Sequence, residues 1–276
     1  MKHPLFYVLP LLLSATTAIP FLGHAKGFDV KALTTLESIH SGAVSPNGEF
    51  LVYGLTKFKN DIKISNLYIQ TLNDSSNAIG QLTNHSTKEH DVVWSNDSKS
   101  IYFLSQRNGS SQVWRLPLQG GEALQITDLP IDVNGFKLSS DNKNIVLTLD
   151  VFNDCDSLSC NSKKLEDRAK SPNAGREYNQ LMVRHWDTWN DGSYKHLFVG
   201  QLKDDTVSNL IDVTKGLATD IPAKPFSGME EVNFSPDNKT IVYSAKAPSK
   251  NQANSTNFDL WQVNIDGTKS HNLTEK

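Results

Sequence analysis

One short phrase occurs four times in this chain, and no other feature limits its possible folds as strongly. Each copy has an apolar stretch that ends in Ser, then turn residues, then a second apolar stretch. The copies read GAVSPNGEFLVY, VVWSNDSKSIYF, FKLSSDNKNIVL and VNFSPDNKTIVY. Apolar residues that alternate on both sides of an Asn/Asp/Gly/Ser turn are typical of a β-hairpin. A hairpin repeated along 276 residues predicts a repeat architecture.

The spacing of the repeats predicts the kind of architecture. Their anchor serines, which are Ser45, Ser95, Ser139 and Ser235, lie 50, 44 and 96 residues apart. Each unit continues with a strand that carries a central aromatic residue and ends at a Thr. These residues are Tyr68 and Thr83, Trp114 and Thr127, Phe198 and Thr214, and Trp261 and Thr274. Four strands in about 40 to 50 residues form a β-propeller blade. We therefore predict an all-β chain of about four WD40-like or TolB-like blades, with the four aromatic residues packed between blades.

The third unit is longer than the others. From anchor Ser to closing Thr the units span 38, 32, 75 and 39 residues, so the third contains an insertion. The predicted propeller region is 26–276. Its blades lie at about 42–83, 92–127, 136–214 with an insertion at 152–190, and 232–274. The fourth unit ends at the last residues, and a closed propeller of four blades is possible in principle.

The N-terminus has the pattern of a secretory signal peptide. Lys2 precedes the apolar run LFYVLPLLLSATTAI, and a Gly-His-Ala sequence ends at Ala25. Cleavage is predicted after Ala25, with Ala18 as the second choice, so the signal peptide is 1–25. The alternative is a membrane anchor, but Pro10 and Pro20 interrupt a run that is short for a span. We expect an exported protein, periplasmic or secreted, with no stable membrane anchor after cleavage.

Composition and missing motifs exclude several functions. The chain is 38% hydrophobic and 21% charged with a net charge of −3, and no basic, aromatic cluster suggests a nucleic-acid partner. It contains no Gly-x-Ser-x-Gly, no His-Glu-x-x-His, no phosphate loop and no dinucleotide fingerprint. Its 8 histidines are scattered singly. We therefore predict no catalytic residue, no metal site and no cofactor.

The only cysteines, Cys155 and Cys160, lie together in the insertion. In an oxidising compartment such a pair favours a disulfide over a metal site, because no His or further Cys is close to it in the sequence. Asp150, Asp154 and Asp156 could suggest calcium. The spacing lacks the glycine and terminal Glu of a calcium loop, so a solvated acidic turn is the better interpretation.

The segment REYNQLMVRHWDTWNDGSYKHLFV follows this pair and is rich in aromatic and charged residues. Its candidate substrate contacts are Arg184, His185, Trp186, Asp187 and Trp189. One interpretation is a loop or short helix over the propeller face that holds a peptide by its backbone and charged end. The other is structural, with Trp186 and Trp189 covering the top of the third blade while Arg184 and Asp187 pair locally.

The same segment resembles a known family. It is similar to the N-terminal propeller of secreted prolyl oligopeptidase-family (S9) serine peptidases, in their bacterial dipeptidyl-peptidase and acylaminoacyl-peptidase-like branch. The resemblance rests on VRHWDTWNDG followed by HLFV, and on CDSLSC and KLEDRAKS before them. The leader FDVKALTTLESIHSGAVSPNGEFLVY resembles the start of those propellers. The resemblance covers about 28–276. TolB-like propellers share the blade phrases, so the VRHWDTW block and the cysteine loop are the more specific features.

The resemblance implies one part of a two-part enzyme. In the family, a propeller of seven or eight blades covers a C-terminal α/β-hydrolase domain with a Ser-Asp-His triad, and the enclosed cavity admits only short peptides. This sequence supplies four blades and no segment matching that domain, so we expect an incomplete propeller from a truncated product or a partial sequence. No family catalytic residue can be assigned, and we expect no peptidase activity from this chain alone. The expected function is the substrate-gating portion of an exported serine exopeptidase acting on short peptides. The alternative is a stand-alone periplasmic TolB-like propeller that binds a protein partner.

Overall fold

The computed structural model describes residues 27–59, 62–73, 78–173, 175, 178, 184–185, 188–224, 228–247 and 254–275. The predicted signal peptide lies outside these residues. The chain divides into two units, residues 1–35 and 36–276. In the first unit a short helix, α1 (Val30–Thr35), begins after Asp29, whose carboxylate accepts the backbone N–H of Ala32 at 2.7 Å.

The second unit contains four antiparallel sheets of four strands, each built from consecutive strands apart from one insertion. Sheet 1 contains β1 (Ser38–Val44), β2 (Phe50–Lys59), β3 (Ile62–Thr71) and β4 (Ile79–Gln81). Sheet 2 contains β5 (Glu89–Trp94), β6 (Ser100–Ser105), β7 (Gln112–Pro117) and β8 (Leu124–Gln125).

Sheets 3 and 4 follow in the same order along the chain. Sheet 3 contains β9 (Gly135–Leu138), β10 (Asn144–Phe152), β13 (Ser193–Lys203) and β14 (Thr206–Asp212). Between β10 and β13 lie α2 (Leu158–Lys170), β11 (Arg184–His185) and β12 (Thr188–Trp189). Sheet 4 follows a 3-10 turn (Met229–Glu231) and contains β15 (Val232–Phe234), β16 (Thr240–Ala245), β17 (Asp259–Asn264) and β18 (His271–Asn272).

The anchor serines form the turns between the first two strands of each sheet. The hydroxyl of Ser45 donates to Asn47 Oδ1 at 2.6 Å and accepts the backbone N–H of Phe50 at 2.9 Å. Ser95, Ser139 and Ser235 make the same two bonds with their own neighbours. The third residue after each serine has a positive φ, which explains the Gly, Ser and Asn residues at that position. These residues are Gly48, Ser98, Asn142 and Asn238.

These turns also connect one sheet to the next. Ser98 accepts the backbone N–H of Asn47 at 3.1 Å, and Asn142 accepts that of Asn96 at 3.3 Å. Asn238 accepts both the backbone N–H and the hydroxyl of Ser140, at 3.2 and 3.1 Å. The sequence repeat therefore joins sheets 1, 2, 3 and 4 in series.

The closing threonines have a second repeated role. Each hydroxyl accepts a backbone N–H from the third strand of its own sheet at 2.9 to 3.1 Å, and donates to a nearby side-chain oxygen. Thr83, Thr127, Thr214 and Thr274 donate to Glu89, Gln112, Asp212 and Asp259 respectively. The outer edge of every sheet is thus fixed to its central strands.

Apolar residues of adjacent sheets form three cores. Val52 and Leu67 of sheet 1 pack with Phe103 and Trp114 of sheet 2. A second core lies between sheets 2 and 3, and a third between sheets 3 and 4. Central strands of sheets 2 and 3 are apolar on both faces, because these two sheets have a neighbour on either side. In β10, Ile145, Leu147 and Leu149 belong to one core and Val146 to the other.

The prediction that four aromatic residues pack between blades is confirmed for three of them. Trp114 and Phe198 are buried in cores, and Trp261 packs against the core between sheets 3 and 4. It is wrong for Tyr68, which stacks on Tyr53 at 6.0 Å on the face of sheet 1 that points away from sheet 2. In the other sheets this face meets the preceding sheet. Within the described residues, sheet 1 has no preceding sheet.

A buried ion pair lies where sheets 1 and 2 meet. The Glu89 carboxylate is fully buried and accepts from the Arg107 guanidinium and the Thr83 hydroxyl. The Arg107 guanidinium lies over the rings of Phe103 and Trp114, with its central carbon 5.4 and 4.8 Å from their centroids. The charge pair is therefore enclosed by aromatic surface.

Candidate functional site

The insertion leaves sheet 3 at Phe152 and returns at Ser193, which face each other across the ends of β10 and β13. Helix α2 is attached to this end of the sheet by Asn161. The buried Asn161 side chain accepts the backbone N–H of Phe152 at 2.7 Å and donates to the carbonyl of Ser157 at 2.8 Å. The last N–H of β10 is thus satisfied by the helix.

Two cations on α2 cover the Phe152 ring. Lys164 Nζ lies 4.4 Å and the Arg168 guanidinium carbon 4.3 Å from its centroid. Lys164 also pairs with Asp154 at 2.6 Å. The helix therefore packs on the sheet through charged side chains stacked on an aromatic ring, and Asn161 is its only buried residue.

A disulfide closes the start of the insertion. Cys155 and Cys160 are bonded, with Cα atoms 5.5 Å apart, and they tie the strand exit to the first turn of α2. Ser157 lies between them and caps the helix, accepting the Cys160 backbone N–H at 3.2 Å.

The far end of α2 holds the chain where it returns to sheet 3. Arg168 Nη1 donates to the backbone carbonyl of Asp191 at 2.7 Å. The Asp191 carboxylate accepts the backbone N–H of Ser193 at 2.9 Å and its hydroxyl at 2.6 Å. Burial disfavours the charge on Asp191, but the bonds from Ser193 and the nearby Lys224 and Arg168 outweigh it and keep the Asp191 pKa below its usual value.

Two short strands carry three of the candidate substrate contacts, Arg184, His185 and Trp189. Arg184 pairs with Trp189 and His185 with Thr188, so these four residues form a short antiparallel β-ladder where the sequence suggested a loop or short helix. The Arg184 guanidinium lies 5.3 Å from the Trp189 ring centroid, and Tyr178 stacks on the same indole at 6.1 Å. The Trp189 side chain is 51% exposed. We call Tyr178, Arg184 and Trp189 the aromatic cluster.

The aromatic cluster favours the binding interpretation over the structural one. Trp189 is not part of any of the three cores, so it does not serve as the predicted cover of the third blade. Trp186 and Asp187 lie outside the described residues, as does the side chain of His185. An exposed indole between a cation and a phenol ring is a surface on which a peptide can stack.

Next to Asp191, Lys224 lies between two carboxylates. Its Nζ is 3.1 Å from Asp150 and 3.2 Å from Asp220. Burial opposes the charge on Lys224, but the two aspartates outweigh it and raise its pKa. Lys224 therefore remains a cation that holds the loop before sheet 4 against the end of sheet 3.

A second concave region lies on the first strands of the sheets. β1 lies beside β5 and β5 beside β9, while β9 and β15 both contact the 3-10 turn. They surround a cavity of about 610 Å³, which we call the inner crevice. Its charged lining residues are Asp91, Lys137, Lys195 and Glu230, and its apolar ones are Val92, Val93, Phe136, Pro222 and Met229. Sequence reasoning missed the inner crevice, because its residues come from distant segments and share no motif.

Backbone irregularities shape the inner crevice. β1 and β5 have bulges at equivalent positions, where Ser41 and Asp91 have φ of 53° and 54°. The Ser41 hydroxyl accepts the Asp91 backbone N–H at 3.0 Å, which connects the two bulges. On the opposite side, a Cβ at Gly135 would lie 2.8 Å from the Met229 side chain, so this close packing requires glycine.

No group of three or more His, Cys, Asp and Glu side chains in the described part of the chain could hold a metal ion. None of the described helices is long and apolar enough to cross a membrane. The aromatic cluster offers a surface for stacking, and the inner crevice offers groups of both charges.

Four consecutive four-stranded sheets, linked turn to turn with apolar cores between them, have the architecture of β-propeller blades. No protein-family model matches the chain. The acylaminoacyl peptidase of Pyrococcus horikoshii has a similar structure, with a TM-score of 0.58 and 14% identity over 89% of this chain and 33% of that one. This likeness supports the fold.

Homologues that share sequence with most of the chain are named dipeptidyl-peptidase 5. The protein of Porphyromonas gingivalis is 29% identical over 87% of this chain and 34% of its own length. That of Porphyromonas endodontalis is 26% identical over 97% of this chain and 40% of its own length. The chain therefore spans 34% and 40% of the length of these relatives, and the similarity supports the resemblance to S9 peptidases noted from the VRHWDTW block.

Proposed function

We propose that this chain is the substrate-gating propeller portion of an exported S9-type serine exopeptidase that acts on short peptides. Its relatives named dipeptidyl-peptidase 5 match most of the chain. The observation that carries the proposal is the aromatic cluster, an exposed indole flanked by Arg184 and Tyr178. In this proposal the cluster stacks on the peptide and Arg184 binds its carbonyl or carboxylate oxygens.

The insertion is suited to hold such a contact in place. Asn161, the disulfide and Arg168 attach both ends of the insertion to sheet 3. In this proposal they limit the movement of the aromatic cluster, so less conformational entropy is lost when a peptide binds. A contact surface held in this way can select peptides by size and shape.

Peptide binding to the purified chain tests the proposal directly. We expect a tetrapeptide such as Ala-Ala-Phe-Ala to change the intrinsic fluorescence of the chain, and Trp189→Phe to remove most of that change. Trp261→Phe is the matched control, since Trp261 packs between sheets 3 and 4. A fluorescence change that survives in Trp189→Phe and disappears in Trp261→Phe would contradict the assigned contact.

The proposal assigns no catalytic residue to this chain. We expect no turnover of dipeptidyl or acyl-aminoacyl chromogenic substrates by the purified chain. Turnover that survives purification and resists serine-directed inhibitors would refute the proposal. In an enzyme that combines this propeller with a hydrolase domain, Arg184→Ala should raise KM and leave the melting temperature unchanged.

Export is part of the proposal. The signal-peptide pattern at 1–25 and the Cys155–Cys160 disulfide both fit an oxidising compartment. Fractionation of expressing cells should recover a chain cleaved after Ala25 in the periplasm or medium. An uncleaved chain with free thiols in the cytoplasm would contradict this part.

A further inference from the structure

The inner crevice has opposite charges on its walls. Lys137 on β9 and Lys195 on β13 provide ammonium groups, while Asp91 on β5 and Glu230 on the 3-10 turn provide carboxylates. Apolar residues complete the lining, among them Pro222 and Met229. The volume of about 610 Å³ falls within the range of about 300 to 1,000 Å³ found for small-molecule sites.

The two lysines differ in what they already bind. Lys137 Nζ donates to the backbone carbonyl of Val232 at 2.5 Å and to Asn233 Oδ1 at 2.9 Å. Burial lowers the Lys137 pKa, against the opposing effect of Glu230. Lys137 is thus largely engaged in holding β9 to sheet 4.

Lys195 is the cation available to a ligand. Its cross-strand neighbour is Asp150, but that carboxylate pairs with Lys224. Asp220, which also pairs with Lys224, accepts the Lys195 backbone N–H at 2.9 Å. Among the described residues no carboxylate lies within ion-pair distance of the Lys195 ammonium group. A half-buried cation in a cavity gains most from an anion supplied by a ligand.

The two lining carboxylates, Asp91 and Glu230, also retain capacity. Asp91 pairs with His90 at 3.2 Å, and its side chain is 46% exposed. Glu230 Oε1 accepts the backbone N–H of Gly228 at 3.0 Å. Each carboxylate has several acceptor sites, so both can still accept from a ligand ammonium group.

We propose that the inner crevice binds a short free peptide as a zwitterion, with the peptide carboxylate on Lys195 and its ammonium group against one of the lining carboxylates, Asp91 or Glu230. The apolar lining contacts the side chains. The choice of a peptide rests on the proposed function, whereas the charge pattern that recognises it does not. The inner crevice is then a second peptide site, apart from the aromatic cluster.

Calorimetric titration of the purified chain with alanine dipeptides tests both charged ends. Ala-Ala should bind, and its C-terminal amide and its N-acetyl derivative should each bind at least about tenfold more weakly, because each loses one charge-assisted contact. Equal binding of Ala-Ala and its amide would overturn the role of Lys195. An absence of binding by Ala-Ala would overturn the proposal as a whole. These comparisons use the unmodified chain.

Variants separate the inner crevice from the aromatic cluster. Lys195→Met should reduce Ala-Ala affinity at least about tenfold. Lys203→Met, an exposed change on the same strand, should leave it unaltered. If Lys195→Met binds normally and Arg184→Ala does not, the peptide binds at the aromatic cluster, so the inference fails and the proposed function stands. If Lys195→Met lacks the circular dichroism of the parent chain, the comparison of Ala-Ala with its amide decides.

Discussion

The buried pair of Glu89 and Arg107 provides the strongest test of how sheets 1 and 2 are held together. Glu89→Gln keeps the size of the side chain and an oxygen that accepts from the Thr83 hydroxyl, so it removes mainly the charge. The Arg107 side chain is 17% exposed and would lose its carboxylate partner. Removing one member of a buried pair costs about 3 to 5 kcal/mol. Because Arg107 has limited solvent access, we expect a loss of about 2 to 4 kcal/mol in the free energy of unfolding.

The reverse change should cost more. Arg107→Met leaves the Glu89 carboxylate unpaired while fully buried, so the expected loss is about 3 to 5 kcal/mol. In the double variant neither charge remains, and Met can pack against the Phe103 and Trp114 rings that Arg107 now covers. The double variant should therefore be more stable than the sum of the two losses predicts, by about 2 kcal/mol or more.

Urea unfolding followed by circular dichroism measures these free energies. The control is Glu37→Gln, which removes the exposed ion pair between Glu37 and Lys57, whose side chains are 52% and 42% exposed. Such a pair contributes about 0 to 1 kcal/mol. Additive losses in the double variant, or a loss in Glu89→Gln no larger than in Glu37→Gln, would refute the argument that each buried charge of this pair depends on the other.

Three further changes test other contacts. Burial opposes the charge on His196, but its bond to Asp212 at 2.9 Å and the carbonyl of Leu217 outweigh burial and raise the His196 pKa above 6.5. The free energy of unfolding should therefore fall as pH rises from about 6.5 through the raised pKa. Asp212→Asn should abolish that slope in urea unfolding. Asn161→Ala leaves the buried N–H of Phe152 without its acceptor, so it should cost about 1 to 3 kcal/mol and speed proteolysis of the insertion. An equal effect of the exposed change Asn173→Ala would contradict this role. Asn238 has a φ of 58°, a backbone conformation that only Gly adopts without strain. Ala at this position should therefore destabilise the fold by about 1 kcal/mol more than Gly in thermal unfolding. Equal losses for Ala and Gly would refute that cause.

The repeated parts of the fold could be predicted because each position has the same function in every copy. The anchor serines close the same turn four times, and the closing threonines bond the same strand four times. A local pattern determines these bonds, and the local pattern is visible in sequence. The disulfide was predictable for a similar reason, since only two cysteines exist and they are close together.

Helix α2 was missed although its signals are present. Ser157 is a good N-cap, and Lys163 with Asp167 and Glu166 with Lys170 are spaced four apart. These signals were overlooked because α2 buries Asn161 alone and so has no apolar stripe. A helix that packs through Asn161, Lys164 and Arg168 cannot be found from hydrophobic periodicity.

The inner crevice could not be predicted, because its chemistry depends on how charges are shared after folding. In sequence, Lys195 and Lys224 are equivalent surface lysines. In the fold, Lys224 lies between Asp150 and Asp220, while Lys195 lines the cavity without an ion-pair partner among the described residues. Strand register and the loop before sheet 4 decide whether Lys195 or Lys224 is available to a ligand.

The differences among the four repeats are as informative as their similarity. At the positive-φ turn position, Ser98, Asn142 and Asn238 each accept a bond from the preceding sheet, whereas sheet 1 has Gly48, which has no side chain to accept one. Sheet 1 is also where Tyr68 stacks only on its own sheet. Both exceptions have one physical cause: contacts between sheets run from each sheet to the one before it. A residue of the repeat therefore keeps its bonding role only where a neighbouring sheet supplies the partner.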